Sequence, residues 1–391
     1  MSLDKLYEDE LLMQANSRKT AVELIKIVSE LWYEKSIELV LFRNKLIDCS
    51  VSEMLTLHDY AGKFIEKPIS IFQSIKIARA IYELDIPPAK LDLGKLTYEH
   101  ALDINKSKDP SDFVSKILNK AKTASSITPR DVILYGFGRI GRLIARELMS
   151  NLGKGSQLRL RAIVIRGNID EHMLQKRASL LKNDSVHGIF SGTVDVDVQN
   201  ESLNINGTTI KIISANRPED IDFTTYGIFN ALVIDNTGAF RDKESLNRIK
   251  ACNGVDKVLL TAPGKGIPNI VYGVNHLEND PDAIDIFSAA SCTTNAITPV
   301  LKIIDDAYGI KSGHLETIHA YTNDQNLVDN FHSKYRRGRA AALNMIITET
   351  GAGKAVAKAL PSLEGKLTSN AIRVPIPSKR FAGHFKSGNN L

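Results

Sequence analysis

Cys292 is the residue of this sequence best placed for covalent chemistry. It follows an apolar run typical of a strand and precedes apolar spacing typical of a helix, within Ser288–Thr298. At such a turn, backbone N–H groups and the positive end of the helix dipole favour thiolate, the nucleophilic form of cysteine. The alternative is a capped helix whose cysteine is a small packing residue. The motifs further along the chain decide between these interpretations. The polar neighbours of Cys292 are Ser291, Thr293, Thr294 and Asn295.

His319 is the candidate base for this thiol, in a short β-like run that opens into a polar loop. Imidazole can take the proton of a thiol and can later accept a proton from a tetrahedral adduct. A histidine satisfied within the core is the alternative interpretation. Several hydroxyl, backbone and guanidinium donors suited to phosphate oxygens follow it along the chain, namely Thr322, the basic loop 334–339, Thr350, Gly351 and Arg373. Spacing alone does not show whether these groups converge.

Upstream, residues 131–149 carry the pattern of a dinucleotide-binding turn. A β-prone run at 131–135 leads directly into Gly136-Phe-Gly-Arg-Ile-Gly141, and apolar residues at helical spacing follow. Gly136 permits the tight turn, Gly138 lets the backbone approach a pyrophosphate, and Gly141 lets the helix pack closely on the strand. Further β-prone runs at 158–165, 231–235 and 257–261 are typical of buried parallel strands, and Asn206-Gly207 predicts a hairpin.

Together these motifs resemble the phosphorylating glyceraldehyde-3-phosphate dehydrogenases, over about 131–377. The matching segments occur in the family's order: Gly136–Arg142, Ser291–Asn295, His319–Thr322, Arg337–Ala342, Thr350–Ala352, Gly365–Thr368 and Ala371–Pro375. The resemblance implies that Cys292 attacks the aldehyde of glyceraldehyde 3-phosphate and forms a thioester, with His319 as base. Inorganic phosphate then releases 1,3-bisphosphoglycerate, and no metal takes part.

The resemblance also assigns binding residues. For the substrate phosphate it implies Thr322 and Arg373, and for the attacking phosphate or its neighbourhood Ser291, Thr293, Arg337, Thr350 and Gly351. The expected cofactor contacts are Gly136, Gly138, Arg139, Ile140, Gly141, Arg217, Thr237 and Thr261. Erythrose 4-phosphate, which undergoes the same chemistry, is an alternative substrate.

The choice of cofactor depends on the end of the second dinucleotide-domain strand. NAD-selective domains place an acid there, whereas a nearby arginine accommodates a 2′-phosphate. This chain has Ile165-Arg166-Gly-Asn168, and its first acid is Asp170. The frequency of NAD in the family favours NAD, with Arg166 as a further cofactor contact and with NADP or dual use as the alternative.

The predicted fold class is α/β, with four segments. Residues 1–128 form a mainly helical extension, 129–290 a Rossmann-type dinucleotide-binding domain, 291–377 an incomplete α+β catalytic domain, and 378–391 a polar tail outside the family pattern. Helical spacing at 20–47 and an N-cap at Asp109-Pro110 support the extension, which serves for packing or oligomer stability or, alternatively, for regulation.

The C-terminal segment departs from the family. By resemblance, further antiparallel strands and a final helix should follow Pro377, whereas residues 378–391 show no strand alternation and predict a disordered end. The chain is therefore expected to be a C-terminally truncated fragment whose sheet exposes edges. A catalytically inactive product that binds only a dinucleotide is the alternative to an active enzyme.

Composition excludes several other classes of protein. A net charge of +5 over 391 residues is too small to indicate nucleic acid as a partner, and no apolar run is long enough for a membrane span. The acidic start is unlike a signal peptide, so a cytoplasmic location is expected. Cys49 and Cys252 lack the neighbours of Cys292 and are predicted to be packing residues. A homotetramer is implied by the resemblance alone.

Overall fold

The structure is a computed structural model that describes residues 3–63, 65–102, 109–119, 128–153, 155, 157–348, 350–376 and 380–387. The chain divides into two compact units. One comprises residues 1–130 with 150–159, and the other comprises 131–149 with 160–391. The four segment boundaries given above stay a prediction.

The first unit combines helices with a small sheet. Its helices are α1 (Leu3–Lys35), α2 (Val51–Lys63), α3 (Ile71–Glu83), α4 (Leu93–Leu102) and α5 (Pro110–Ile117). Its strands are β1 (Ile37–Leu41), β2 (Asn44–Lys45) and β3 (Ala89–Asp92), in the order β2-β1-β3. Asp109 caps α5 through the N–H of Ser111, with Pro110 in the first turn, which confirms the predicted helix start.

Helical structure does not continue to residue 47 as the apolar spacing predicts. Helix α1 ends at Lys35, Ser36 takes a left-handed φ of 56°, and the chain continues as strand β1. The run Ile37–Leu41, in which all residues but Glu38 are buried, pairs in parallel with β3, so sheet pairing overrides the local helical pattern.

An eight-stranded sheet forms the dinucleotide-binding part of the second unit. Its strands are β4 (Arg130–Tyr135), β5 (Leu158–Ile165), β8 (Val194–Asp197), β9 (Ser202–Ile205), β10 (Thr208–Ser214), β11 (Ala231–Asp235), β12 (Val255–Leu260) and β13 (Ile286–Ser288). The associated helices are α6 (Arg139–Ser150), α7 (Glu171–Lys182) and α8 (Lys243–Lys250). Strands β6 (Asn183–Asp184) and β7 (Gly188–Ile189) form a separate two-stranded antiparallel sheet.

The order of these strands determines where a ligand can bind. It is β13-β12-β11-β4-β5-β10-β9-β8, with parallel pairing from β13 to β11, between β11 and β4, and between β5 and β10. The connections reverse direction between β4 and β11, and ligands of such sheets bind in the crevice beyond the carboxyl ends at that point. The hairpin at Asn206-Gly207 is confirmed, with left-handed φ values of 50° and 79°.

A four-stranded sheet and two helices form the rest of the second unit. The helices are α9 (Cys292–Tyr308) and α10 (Ala352–Ala359), and the strands are β14 (Ile310–Ala320), β15 (Ile346–Thr348), β16 (Leu367–Val374) and β17 (Arg380–Ser387), in the order β15-β16-β14-β17. A buried cluster that includes Ile297, Leu301, Leu315 and Val356 packs the helices on β14.

Strand β17 corrects the prediction for the tail. Residues 380–387 are not disordered but pair antiparallel with β14, with Glu316 opposite Ala382. The edge of β14 presents a row of backbone N–H and C=O groups, and pairing satisfies them whatever the polarity of the added segment. No helix in the described part of the chain is long and apolar enough to cross a membrane.

Candidate active site

Cys292 is the first residue of helix α9 and is exposed to solvent. Ser291 is the N-cap, and its hydroxyl oxygen accepts a hydrogen bond of 3.0 Å from the N–H of Thr294. The amide of Asn295 donates to the carbonyls of Ala289 and Ser291 and so fixes the turn before the helix. The thiol therefore lies at the positive end of a 17-residue helix, where a thiolate is stabilised.

The other two cysteines lie in different environments. Cys252 is buried, and burial raises the pKa of its thiol to about 11. Cys49 is half-buried, and burial followed by the charges of Glu53 and Asp48 raises the pKa of its thiol. Both thiols are therefore protonated at neutral pH and less nucleophilic than a thiolate.

Backbone strain precedes the cysteine, a feature that sequence reasoning missed. Ala290 has a left-handed φ of 57°, a conformation that costs energy for any residue with a side chain. The N–H of Ala290 donates to the Ser288 hydroxyl at 2.9 Å, and that hydroxyl donates to the Ala262 carbonyl at 2.6 Å. These bonds hold the sharp bend that carries the chain from β13 to Cys292.

His319 lies near the carboxyl end of β14 with its Nε2 atom 3.9 Å from the Cys292 sulfur. The ring is buried, and its Nδ1 atom lies 2.6 Å from the Ala320 carbonyl oxygen. In the tautomer whose Nδ1–H donates to that carbonyl, Nε2 carries a lone pair that faces the thiol. The two residues, 27 positions apart in the sequence, are thus close enough for the thiol and the imidazole to interact, and their roles as nucleophile and base stay a prediction.

Arg373 completes this arrangement from the neighbouring strand. Strand β16 pairs in parallel with β14, and Arg373 is the register partner of His319. Its Nη1 atom donates to the Ala320 carbonyl at 3.0 Å and lies 2.5 Å from His319 Nδ1, which accepts a hydrogen bond from it in the tautomer that carries its proton on Nε2. Burial and the nearby Arg337 lower the pKa of Arg373, whereas the charge of Cys292 raises it. A half-buried cation thus stands beside the His319 ring, and a cation suits an anionic substrate.

The remaining predicted phosphate residues lie on several different elements of the second unit. Arg337 pairs with Asp324 and donates to the Thr348 hydroxyl at 2.8 Å. Thr350 accepts a hydrogen bond from the N–H of Ala352, and Gly351 is the N-cap of α10. Thr322 is exposed in the loop after β14, and Thr293 is the second residue of α9. Their convergence on a phosphate stays a prediction.

The dinucleotide-binding turn borders a cavity of about 300 Å³ at the carboxyl ends of β4 and β5. Its walls are formed by Tyr135, Gly136, Phe137, Gly138, Val164, Ile165, Arg166, Arg177, Ala215, Thr237 and Ala239. Four of the predicted cofactor residues are therefore brought together, namely Gly136, Gly138, Arg166 and Thr237.

The three glycines of the turn fit the roles expected of them. A Cβ atom at Gly141 would lie 2.5 Å from the Gly136 carbonyl oxygen, so only glycine allows this close packing. A Cβ atom at Gly138 would meet nothing within 4 Å, which leaves its backbone open to a ligand. Gly136 has a φ of 96°, as a tight turn requires. Contact of a pyrophosphate with the start of α6 stays a prediction.

Four other predicted cofactor residues do not line this cavity. Arg139 and Ile140 are exposed in the first turn of α6. Arg217 forms an ion pair with Asp220 at 2.8 Å, and the Thr261 hydroxyl donates to the Asp235 carbonyl at 2.9 Å. Their contacts with a cofactor stay a prediction.

Asp235 is a buried acid that supports the loop beneath the cavity. Its carboxylate accepts hydrogen bonds from the N–H and the hydroxyl of Thr237 at 3.1 and 2.8 Å. Burial raises its pKa, an effect opposed by these two bonds. The acid thus holds Thr237 in the cavity wall.

Fold and site together define an α/β protein with a dinucleotide-binding sheet and a cysteine–histidine pair on a following domain. Residues 130–243 match the family profile of the glyceraldehyde 3-phosphate dehydrogenase NAD binding domain. Residues 291–382 match the profile of the C-terminal domain of the same family. The chain belongs to the glyceraldehyde 3-phosphate dehydrogenase family.

Relatives with curated names agree with this assignment. A glyceraldehyde-3-phosphate dehydrogenase-like protein of Pseudomonas aeruginosa is 48% identical over 365 residues, which cover 92% of this chain and 78% of the relative. Glyceraldehyde-3-phosphate dehydrogenase 2 of Trichormus variabilis is 42% identical over 249 residues, or 63% of this chain and 70% of the relative. The first similarity extends into most of the segment before residue 128, whereas the second is confined to a smaller part of the chain.

Proposed function

We propose that this protein oxidises glyceraldehyde 3-phosphate, with a nicotinamide dinucleotide and inorganic phosphate, to 1,3-bisphosphoglycerate. The observation that carries the proposal is the 3.9 Å approach of Cys292 Sγ and His319 Nε2 at the start of α9. Arg373 on the adjacent strand and the cavity at the glycine turn supply the cation and the dinucleotide site that the reaction needs.

In the first half-reaction, Cys292 transfers its proton toward His319 and the sulfur attacks the aldehyde carbon. Backbone N–H groups at the start of α9 stabilise the oxygen of the resulting hemithioacetal. The protonated His319 returns this proton to the adduct oxygen, and the neutral imidazole then accepts it again as hydride leaves the carbon. A bound nicotinamide supplies the hydride acceptor. The product on Cys292 is a thioester.

In the second half-reaction, inorganic phosphate attacks the thioester carbon and Cys292 leaves as a thiolate. Arg373 and Thr322 bind the phosphate of the substrate in this proposal, and Arg337, Thr350 and Gly351 lie toward the attacking phosphate. Guanidinium and N–H donors suit these anions because they form short, charge-assisted hydrogen bonds.

Replacement of the nucleophile tests the proposal directly. Cys292→Ser should abolish phosphate-dependent reduction of the dinucleotide while its affinity for the dinucleotide stays unchanged. Cys49→Ser, in the first unit, is the matched control and should keep full turnover. Turnover by Cys292→Ser close to that of the unmodified protein would show that another group is the nucleophile.

Two further results would change the assignment. Faster turnover of erythrose 4-phosphate than of glyceraldehyde 3-phosphate would identify the four-carbon aldehyde as the substrate. Dinucleotide binding by the unmodified protein without turnover of either aldehyde would show a binding protein without catalysis.

A further inference from the structure

The cavity beside the glycine turn is lined by cations and, among the described residues, by no carboxylate. Dinucleotide folds that select NAD place an acid at the end of the second strand, where it accepts hydrogen bonds from the adenosine ribose. Here that strand, β5, ends at Ile165 and is followed by Arg166. The nearest acid along the chain, Asp170, is the N-cap of α7 and accepts a 2.7 Å hydrogen bond from the N–H of Met173.

Arg177 is the second cation of this cavity, and it comes from helix α7. Its side chain is half-buried, and the hydrogen bond that the described part of the chain gives its guanidinium goes to Met173 Sδ, at 2.9 Å. Burial, followed by the positive charge of Arg142, lowers its pKa. Thioether sulfur is a weak acceptor, so a half-buried guanidinium with this partner retains donors for an anion.

We propose that Arg166 and Arg177 bind the 2′-phosphate of an adenosine dinucleotide, so that the protein prefers NADP to NAD. Arg166 lies at the end of β5 and Arg177 on the helix that follows, so the two guanidinium groups reach the cavity from two elements of the same unit. A phosphate offers each of them bidentate, charge-assisted hydrogen bonds, whereas the 2′-hydroxyl of NAD finds no acidic acceptor on this wall.

This inference rests on the proposed function only in assigning the adenosine half of the cofactor to the cavity. It can therefore be tested by binding alone, with adenosine 2′,5′-bisphosphate and adenosine 5′-monophosphate as probes in titration calorimetry. The unmodified protein should bind the bisphosphate about ten- to a hundredfold more tightly, the range expected for hydrogen bonds to charged groups.

Substitutions on α7 and at the end of β5 test which residues cause the preference for the bisphosphate. Arg177→Gln and Arg166→Gln should each remove most of the preference and leave the affinity for the monophosphate unchanged. Lys176→Gln, which removes the same charge from an exposed neighbour outside the cavity, should keep the preference. Arg166 is exposed, so its variant gives a result even if replacement of half-buried Arg177 impairs folding.

Equal affinity of the unmodified protein for the two probes would overturn the inference, and so would an equal loss in Arg177→Gln, Arg166→Gln and Lys176→Gln. Failure of both probes to bind would overturn it as well. In any of these cases, aldehyde oxidation with NAD would leave the proposed function intact, whereas absence of turnover with either dinucleotide would contradict that function separately.

Discussion

At the scale of single residues, the proposed reactivity of the site depends on three side chains. Two of them lie on a pair of neighbouring strands, and the third lies at the start of a helix. His319 and Arg373 are neighbours because β14 and β16 pair in parallel, and Cys292 reaches them from the start of α9. The Ala320 carbonyl and the Arg373 guanidinium both contact Nδ1 of the imidazole, so that Nε2 faces the sulfur.

His319→Gln should lower turnover by about 10²- to 10⁴-fold, the usual contribution of a general base. Alkylation of Cys292 by iodoacetamide at neutral pH should also slow, since the thiolate loses its partner. His314→Gln is the control, because His314 lies exposed on the same strand and bonds to the Thr368 hydroxyl. Unchanged alkylation and turnover in His319→Gln would contradict the role of this imidazole.

At the scale of elements, the glycine turn joins β4 to α6 and separates a packing requirement from a binding requirement. Gly141 is pressed against the Gly136 carbonyl, whereas Gly138 faces open space. The same residue type therefore serves two purposes at positions that are three residues apart.

Gly141→Ala should lower the free energy of unfolding by about 1–3 kcal/mol, because the added methyl group overpacks a backbone contact. Gly138→Ala should leave stability nearly unchanged but weaken dinucleotide binding, since its methyl group occupies the approach of the pyrophosphate. Urea unfolding and titration calorimetry measure the two effects. Equal stability losses in both variants would contradict this division of roles.

At the scale of the whole molecule, residues 327–347 expose many large apolar side chains. They include Leu327, Val328, Phe331, Tyr335, Leu343, Met345 and Ile347, and Phe331 and Tyr335 are 92% and 95% exposed. A group of exposed apolar side chains of this size is typical of protein–protein interfaces. A second copy of the chain is the partner that the family resemblance implies.

Phe331→Asp should therefore weaken self-association by about tenfold or more, as loss of an aromatic anchor does at interfaces. Sedimentation velocity over a range of concentrations measures this effect. Leu277→Asp, which changes another exposed apolar residue outside the segment, should leave association unchanged. A monomeric unmodified protein at all concentrations would contradict the prediction.

Much of the local structure follows from the sequence. The N-cap at Asp109, the hairpin at Asn206-Gly207 and the strand at 158–165 match their predicted places. These features depend on residues close together in the chain, such as a capping oxygen or a left-handed turn. The expected helix over 20–47 fails at Ser36 because pairing of β1 with β3, about 50 residues apart, is not visible in the local pattern.

The sequence by itself therefore determined the family, the candidates for nucleophile and base, and the glycine turn, because each of them lies in a short motif of consecutive residues. Only the tertiary structure decided that Arg373 stands beside His319, that residues 380–387 pair with β14, and that Arg177 shares a cavity with Arg166. Strand register and helix packing bring these residues together. Both depend on hydrogen bonds and apolar contacts between groups that are far apart in the sequence.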